Sequence, residues 1–588
     1  MGQPIRPSQF ILSYGVGSII EAPKGPRLIP AFENWNFSGR NIFSASGPLL
    51  TRIEDHNARA QLNGGAIFEI PTNPQFDLPD SRPLFRTVRF PLWALCQRHR
   101  ILYHLGPRGR SNCDSCRGTV VDAQDEAIRF VRGCPNGHLD DVDWRHTVHR
   151  GRHCTGETFD WVEETGSDLR SVQIRCRTCR LMVSLLDIYS RTFGCSGYLP
   201  EQDERESCDE QASVILRSAT SLRIAEVVTS ISIPPALQIH QLLSQPAIGR
   251  GLLNLAASES DPKNALLANL RRIADSDVSQ IDLVTISEIE RTPSEDIVQA
   301  IHDILSRIPE NKTVEHVKQE EFSALREAAD RGYPPRPSRE PSFEVDRNDV
   351  FRWEHNSGLT FRITPVKRLR VVIAQRGYRR PVRGPTSEDG RPIRLVETYY
   401  SLGGERLYPG VALYGEGIFI DLPDQDLAVS ENRGQLWVER QRNQVGTCDN
   451  FVNDPIFVWW HTLSHRIVNA LSLDSGYSTA SIRERVYFTH NLETDSRLGG
   501  VILYTSQQGS DGSLGGLMAL CNQRDFGRVM TVAERNLNAC SNDPLCSEHT
   551  GANNGAACYA CLMISETSCE FHNTFLDRLL LAQTLIGV

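Results

Sequence analysis

Sixteen cysteines in 588 residues are the side chains whose type and spacing could do chemistry. Nine lie between Cys96 and Cys208 and five between Cys540 and Cys569, while Cys448 and Cys521 stand apart as core or free thiols. Clustered thiols in a chain with no visible export signal point to metal, because cytosolic thiols stay reduced. Cys96-Gln-Arg-His99 followed by Cys113-Asp-Ser-Cys116 makes two short-spaced pairs across a loop, the spacing of a closed tetrahedral zinc site. Cys176-Arg-Thr-Cys179 with Cys195 and Cys208 offers an all-thiolate set. Cys134-Pro-Asn-Gly-His138 with His149 and Cys154 offers four nitrogen and sulfur donors, although these histidines could equally be surface residues beside arginines. At the C-terminal end, Cys540, Cys546, Cys558-Tyr-Ala-Cys561 and Cys569 give five thiols for four places, with Cys540 or Cys546 the candidate spare. Two to four structural zinc ions are expected in all, and the last would organise a stretch with no hydrophobic period of its own.

Other constellations suggest chemistry less directly. His461-Thr-Leu-Ser-His465 sets two imidazoles on one helical face, but Thr462 occupies the place where a zinc protease carries its glutamate base. These histidines are expected to be core or interface residues bonded to neighbours. Gly509-Ser-Asp-Gly512-Ser-Leu-Gly515-Gly516 could cradle an anion, yet no Gly-Lys pair occurs in the chain. A nucleotide-hydrolysing phosphate loop is therefore excluded. His138-Leu-Asp140-Asp141-Val-Asp143-Trp-Arg-His146 packs carboxylates and imidazoles as a metal-dependent nuclease could, or as a zinc knuckle running into an acidic helix start. Arg368, Arg370, Arg376, Arg379, Arg380 and Arg383, with Tyr378 among them, suit a phosphate backbone and a stacked base, or a solvated loop.

The elements that must position these groups follow from periodicity and turn signals. Residues 1–95 read as a β-rich domain of short strands broken by Gly and Pro, with a turn at Gly15-Val16-Gly17. Residues 96–215 form the zinc-binding region. Residues 216–345 are mainly helical, with helices over 265–273 and 297–308. The second of these begins with Thr292 as cap, Pro293 at the first turn and Glu295 closing a capping box. A proline-rich linker at 333–341 ends the region. Residues 346–588 read as an α/β domain: strands at 369–374, 417–422, 485–488 and 501–505, helices at 455–473, 531–538 and 575–586, and Gly476 as a stop.

The net charge of −9 gives no global pull toward nucleic acid. Only Lys24, Lys263, Lys312, Lys318 and Lys367 are lysines among 63 basic residues. Arginine-favouring codon usage explains this as readily as a need for bidentate phosphate contacts. The N-terminus shows no apolar signal region, and the longest apolar run, 455–473, is broken by His461, Ser464, His465 and Arg466. No membrane attachment and a cytoplasmic location are expected.

Further residues carry a resemblance. Arg6-Pro-Ser-Gln9 with Gly15-Val-Gly17-Ser18, Cys134-Pro-Asn-Gly-His138-Leu-Asp-Asp141 and Gly415-Glu-Gly-Ile-Phe419 resemble landmarks of the DrmB family of the DISARM anti-phage system. His461-Thr-Leu-Ser-His465, Ser475-Gly-Tyr-Ser478, Ser481-Ile-Arg-Glu-Arg485, Gly512-Ser-Leu-Gly-Gly516 and Asn554-Gly-Ala-Ala-Cys558 through Cys569 continue it. Residues 235–410 add little. The C-terminal third also resembles the zinc-bearing domain that some superfamily 2 DNA helicases carry after their motor. His99 departs from the commoner Cys-x-x-Cys, and histidine is an equally good zinc ligand. The resemblance implies an accessory subunit whose motor is a separate superfamily 2 helicase, DrmA. The expectation is thus an α+β, multidomain protein with several zinc-binding subdomains. It is non-catalytic, helps a helicase engage DNA in antiviral defence, and has as its alternative a nuclease built on Asp140, Asp141, Asp143 and His146.

Overall fold

In the computed structural model the described residues are 5–22, 25–37, 40–41, 51–73, 84–106, 113–116, 126–163, 168–233, 242–243, 248–276, 283–306, 312–333, 342–381, 393–429, 431–442, 453–491, 495–506, 515–548 and 554–587. The architecture is α+β and multidomain, with several sheets and helices. One compact unit comprises Met1–Glu54, Gly65–Val228 and Ile373–Val411, and the other Asp55–Gly64, Thr229–Val372 and Ala412–Val588. The two interleave along the chain instead of following one another.

The first unit holds two sheets whose strand ends lead into several of its cysteines. A six-stranded antiparallel sheet runs in the order Met182–Ser184, Val172–Cys176, Phe159–Glu163, Ile101–His104, Trp93–Leu95, Glu126–Ala127. A four-stranded sheet orders Leu139–Asp141, Phe130–Gly133, Gln211–Leu216 and Thr192–Gly194. Aromatic and β-branched residues suit these half-buried strands. Trp93, Leu102, Phe130, Trp144, Phe159 and Ile174 meet in one core. Near the N-terminus, the expected turn places Gly17 at φ +79°, where a Cβ would lie 2.8 Å from Tyr378 Cε1. The first 95 residues also contain short helices, Pro7–Leu12 and His56–Gln61, that the alternation of Gly and Pro concealed.

The second unit is built around the helix Pro455–Asp474. Asp454 caps it by accepting from Ile456 N at 2.8 Å, and Pro455 fits the first turn, where no N–H is needed. Nearly every side chain from Ile456 to Leu471 is buried, on all faces. A helix this apolar must be surrounded. It packs on the hairpin of Ile482–Asn491 and Ser496–Thr505, and on the helices Gln523–Glu534 and Arg578–Ile586. The closing end of Glu405–Asp421 joins the hairpin, with Gly417 opposite Tyr504. Gly499 is required by close approach, since a Cβ there would sit 2.2 Å from Trp460 Cδ1.

Some element boundaries differ from expectation for local reasons. The helix expected at 297–308 runs Ser294–Ser306, and the Thr292 hydroxyl donates back to Glu288 O at 2.8 Å instead of capping it. The helix expected at 531–538 is Gln523–Glu534, because Asn522 caps it by accepting from Asp525 N. The last helix starts at Arg578, behind an Asp577 cap. The proline-rich linker lies outside the described residues beyond Tyr333.

Candidate metal centres

The sheets bring the cysteines into fourfold groups. Cys96 follows the strand Trp93–Leu95, and Arg100 in left-handed conformation (φ 53°) turns the chain back through His99. Cys113 and Cys116 close the group from a single 3-10 turn. His99 Nδ1 lies 3.7, 3.4 and 3.3 Å from the sulfurs of Cys96, Cys113 and Cys116. The Cys96–Cys116 and Cys113–Cys116 sulfurs are 3.7 and 3.5 Å apart. A tetrahedron with zinc–sulfur bonds of about 2.3 Å has edges of about 3.8 Å, so these spacings are those of ligands around a common centre. Without a cation, burial pushes the Cys96 thiol up to about 12. A divalent ion reverses that preference by holding the thiolate.

The next two groups exchange partners relative to the sequence reading. Cys134, His138, Cys195 and Cys208 come together, as do His149, Cys154, Cys176 and Cys179. Strand register is the reason. Gly133 and Gly194 both pair with the Gln211–Leu216 strand, opposite Ser213 and Gln211. Cys134, Cys195 and Cys208 therefore leave the four-stranded sheet at one end. His138 Nδ1 is 3.3 Å from Cys134 Sγ and 3.5 Å from Cys195 Sγ, and its Nε2 faces Glu206 Oε1 at 2.7 Å. Such a carboxylate orients a metal-bound imidazole. In the other group, Cys176 ends a strand whose partner residue is Phe159. Its sulfur lies 3.9 Å from Cys154 Sγ. His149 donates through Nδ1 to Arg145 O at 2.7 Å, which leaves a buried Nε2 with no hydrogen-bond partner beside the thiols.

In the second unit the fourfold group is Cys540, Cys546, Cys558 and Cys561, so the spare thiol is Cys569, not Cys540 or Cys546. Sulfur separations are 3.5 Å for Cys540–Cys558 and 3.7 Å for both Cys546–Cys561 and Cys558–Cys561. Arg578 braces this loop by donating to Leu537 O and to both Asp543 oxygens. Cys569 instead meets His461, His465 and Glu484, all four buried. Sequence reasoning missed Glu484 and this convergence; a histidine pair without partners and a surplus thiol were the available signals.

The arginines are less uniform than their spacing suggests. Arg380 is wholly buried and donates to Gly137 O (2.8 Å), Leu222 O (2.7 Å) and Gly17 O (3.2 Å), which removes it from any nucleic-acid surface. Tyr378, expected as a stacking aromatic, is also buried and bonds Glu201. Arg368 lies 5.6 Å over the Tyr414 ring, and Arg370 donates to Ser232 Oγ at 3.0 Å. Arg376 and Arg379 are each 36% exposed, beside Glu397 and Glu226. Arg383 lies outside the described residues, as does most of the Gly509–Gly515 turn. The acidic cluster is engaged locally. Asp143 caps the helix Trp144–His149, Asp140 lies near Arg132 and Arg205, and Asp141 accepts from Leu92 N, with burial pushing its carboxyl up to about 7. With His146 they form no metal-binding group among the described residues.

Comparison with known proteins adds to this geometry. Residues 6–224, which include the first three groups, match a family described as a domain of unknown function, DUF8724. Residues 463–562 match the MrfA Zn-binding domain. The DISARM protein DrmB of Bacillus paralicheniformis (strain ATCC 9945a / NCIMB 11709 / CD-2) is 26% identical over 584 residues, covering 91% of this chain and 94% of its own. The chain is similar to DrmB along nearly its whole length. The DrmB likeness therefore also spans residues 235–410, where few landmarks are visible. The crystal structure of the DUF1998 helicase MrfA bound to DNA shares 11% identity over 42% of this chain and 26% of that one, with a TM-score of 0.20, a likeness too low to carry an argument. Among the described residues, no helix is long and apolar enough to cross a membrane.

Proposed function

We propose that this chain is a zinc-stabilised, non-catalytic subunit of a DISARM-type anti-phage system that pairs with a superfamily 2 helicase of the DrmA kind and helps it engage DNA. The observation that carries the reading is the DrmB similarity over 584 residues, joined to a C-terminal match to the zinc-binding domain of MrfA. The closed character of the groups supports the non-catalytic role. Each supplies four protein ligands, which leaves no open position for water or substrate. In this reading residues 346–588 are the helicase-associated part, and residues 96–215 supply rigid, zinc-held loops in the cytoplasm. Arg376 and Arg379 would exchange their half-exposed carboxylate partners for phosphates, with Arg368 and Arg370 as weaker contributors and Arg383 as a further candidate. In this reading the contacts are to phosphates, which position the protein without reading sequence.

The test is DNA affinity by fluorescence anisotropy for the helicase alone, the pair, and the pair carrying Arg376→Glu and Arg379→Glu. The pair should bind more tightly than the helicase, and the double variant should lose most of that gain. A pair that binds no more tightly than the helicase alone would overturn the DNA-engaging role.

A further inference from the structure

We propose a fifth metal site, formed by His461, His465, Glu484 and Cys569, that takes one divalent transition ion with zinc preferred. It stands apart from the DrmB reading, and His461 and Cys569 lie outside residues 463–562 of the zinc-binding family match.

His461 Nδ1 lies 3.2 Å from Phe575 O, and His465 Nδ1 lies 2.9 Å from Leu562 O. A carbonyl oxygen only accepts, so each Nδ1 must carry the proton. A neutral imidazole then presents a lone pair at Nε2. Both Nε2 atoms point at the same oxygen, Glu484 Oε1, at 2.8 and 3.2 Å, and His461 Nε2 is also 3.3 Å from Cys569 Sγ. Lone pairs converging on a carboxylate repel unless a cation lies between them. Zinc with bonds of about 2.0–2.3 Å to nitrogen, oxygen and sulfur needs edges of about 3.3–3.6 Å, so a small outward relaxation seats the ion.

Cys569 supplies an independent observation. Its sulfur accepts from the backbone N–H of Phe571 at 3.3 Å and of Asn573 at 3.2 Å. The thiols of the other groups receive the same kind of bond, Cys195 from Gly197 N at 3.3 Å and Cys561 from Cys558 N at 3.4 Å. The loop after Cys569 is thus wound as a ligand knuckle. The second Glu484 oxygen is held by the Ser464 hydroxyl, which leaves Oε1 for the ion.

Charge and softness select the occupant. A divalent ion with one carboxylate, one thiolate and two neutral imidazoles is electrically neutral, as burial among Phe457, Phe571 and Phe575 demands. Binding displaces one proton, from the Cys569 thiol, to solvent. Thiolate and imidazole favour zinc over magnesium or calcium. The ion would pin the helix Pro455–Asp474 to the strand Ile482–Asn491 and to the C-terminal loop. The carbonyl that orients His465 belongs to Leu562, directly after the ligand Cys561, so the fourth and fifth sites share a wall.

The test uses the full chain. Zinc per chain, by plasma mass spectrometry, should fall by one equivalent between the wild type and a variant carrying Glu484→Gln and Cys569→Ser. Equal zinc in both would overturn the proposal. Should that variant fail to fold, zinc-edge anomalous scattering from wild-type crystals decides. A peak among the four side chains supports the site, and its absence, with peaks at the other groups, overturns it.

Discussion

Arg380 and Arg379 are neighbours in sequence with opposite duties. Arg380 satisfies three backbone carbonyls in a buried place, and its guanidinium lies 3.8 Å from the equally buried Glu201. Replacing it with methionine strands those acceptors and leaves a buried carboxylate without its cation. Removing one partner of a buried pair costs about 3–5 kcal/mol, so Arg380→Met should show that loss in a urea denaturation series. Arg379 is partly exposed beside Glu226, and surface pairs contribute under about 1 kcal/mol. Arg379→Gln should therefore leave the denaturation midpoint nearly unchanged while weakening DNA binding by the helicase pair. Equal destabilisation by the two variants would contradict the distinction drawn from burial.

The central helix and its hairpin carry predictions about packing. Gly499 faces Trp460 at a distance that admits no Cβ. Overpacking of this kind costs about 1–3 kcal/mol, and Gly499→Ala should lower thermal stability accordingly, with partial rescue by Trp460→Phe. The cysteine loops behave differently. The stretch from Cys540 to Asp577 contains no regular helix or strand among the described residues, so caps and Arg578 hold it, and a metal at the four cysteines would complete its order. Chelation with phenanthroline at neutral pH should expose it to limited proteolysis and leave the helix Pro455–Asp474 protected. A digestion pattern indifferent to chelator would count against structural metal there. Much of the element plan was legible beforehand. The three- and four-residue steps through Ile456, Trp460, Leu463, Ile467 and Leu471 are visible in the sequence. So is the Cys96–Cys116 spacing, since both knuckles are local. The exchange of partners between Cys134 and Cys208 was not legible, because it depends on which strands pair across some eighty residues. Spacing encodes a knuckle, while register decides which knuckles meet. The Glu484 convergence was hidden for the same reason, its ligands coming from a helix, a strand and a distant loop.

At the scale of the whole molecule, a chain of net charge −9 would bind nucleic acid only through local patches. Counterion release then governs affinity. If Arg376 and Arg379 each neutralise one phosphate, the double glutamate variant should lower the slope of log affinity against log salt by about 2. An unchanged slope would move the DNA contacts elsewhere, to the partner or to a different face. The most direct measurement of the proposed partnership is size-exclusion chromatography of this protein co-expressed with a superfamily 2 helicase of the DrmA kind. Co-elution of the two chains in one stoichiometric peak is the expected result, and separate elution at low salt would contradict the partnership.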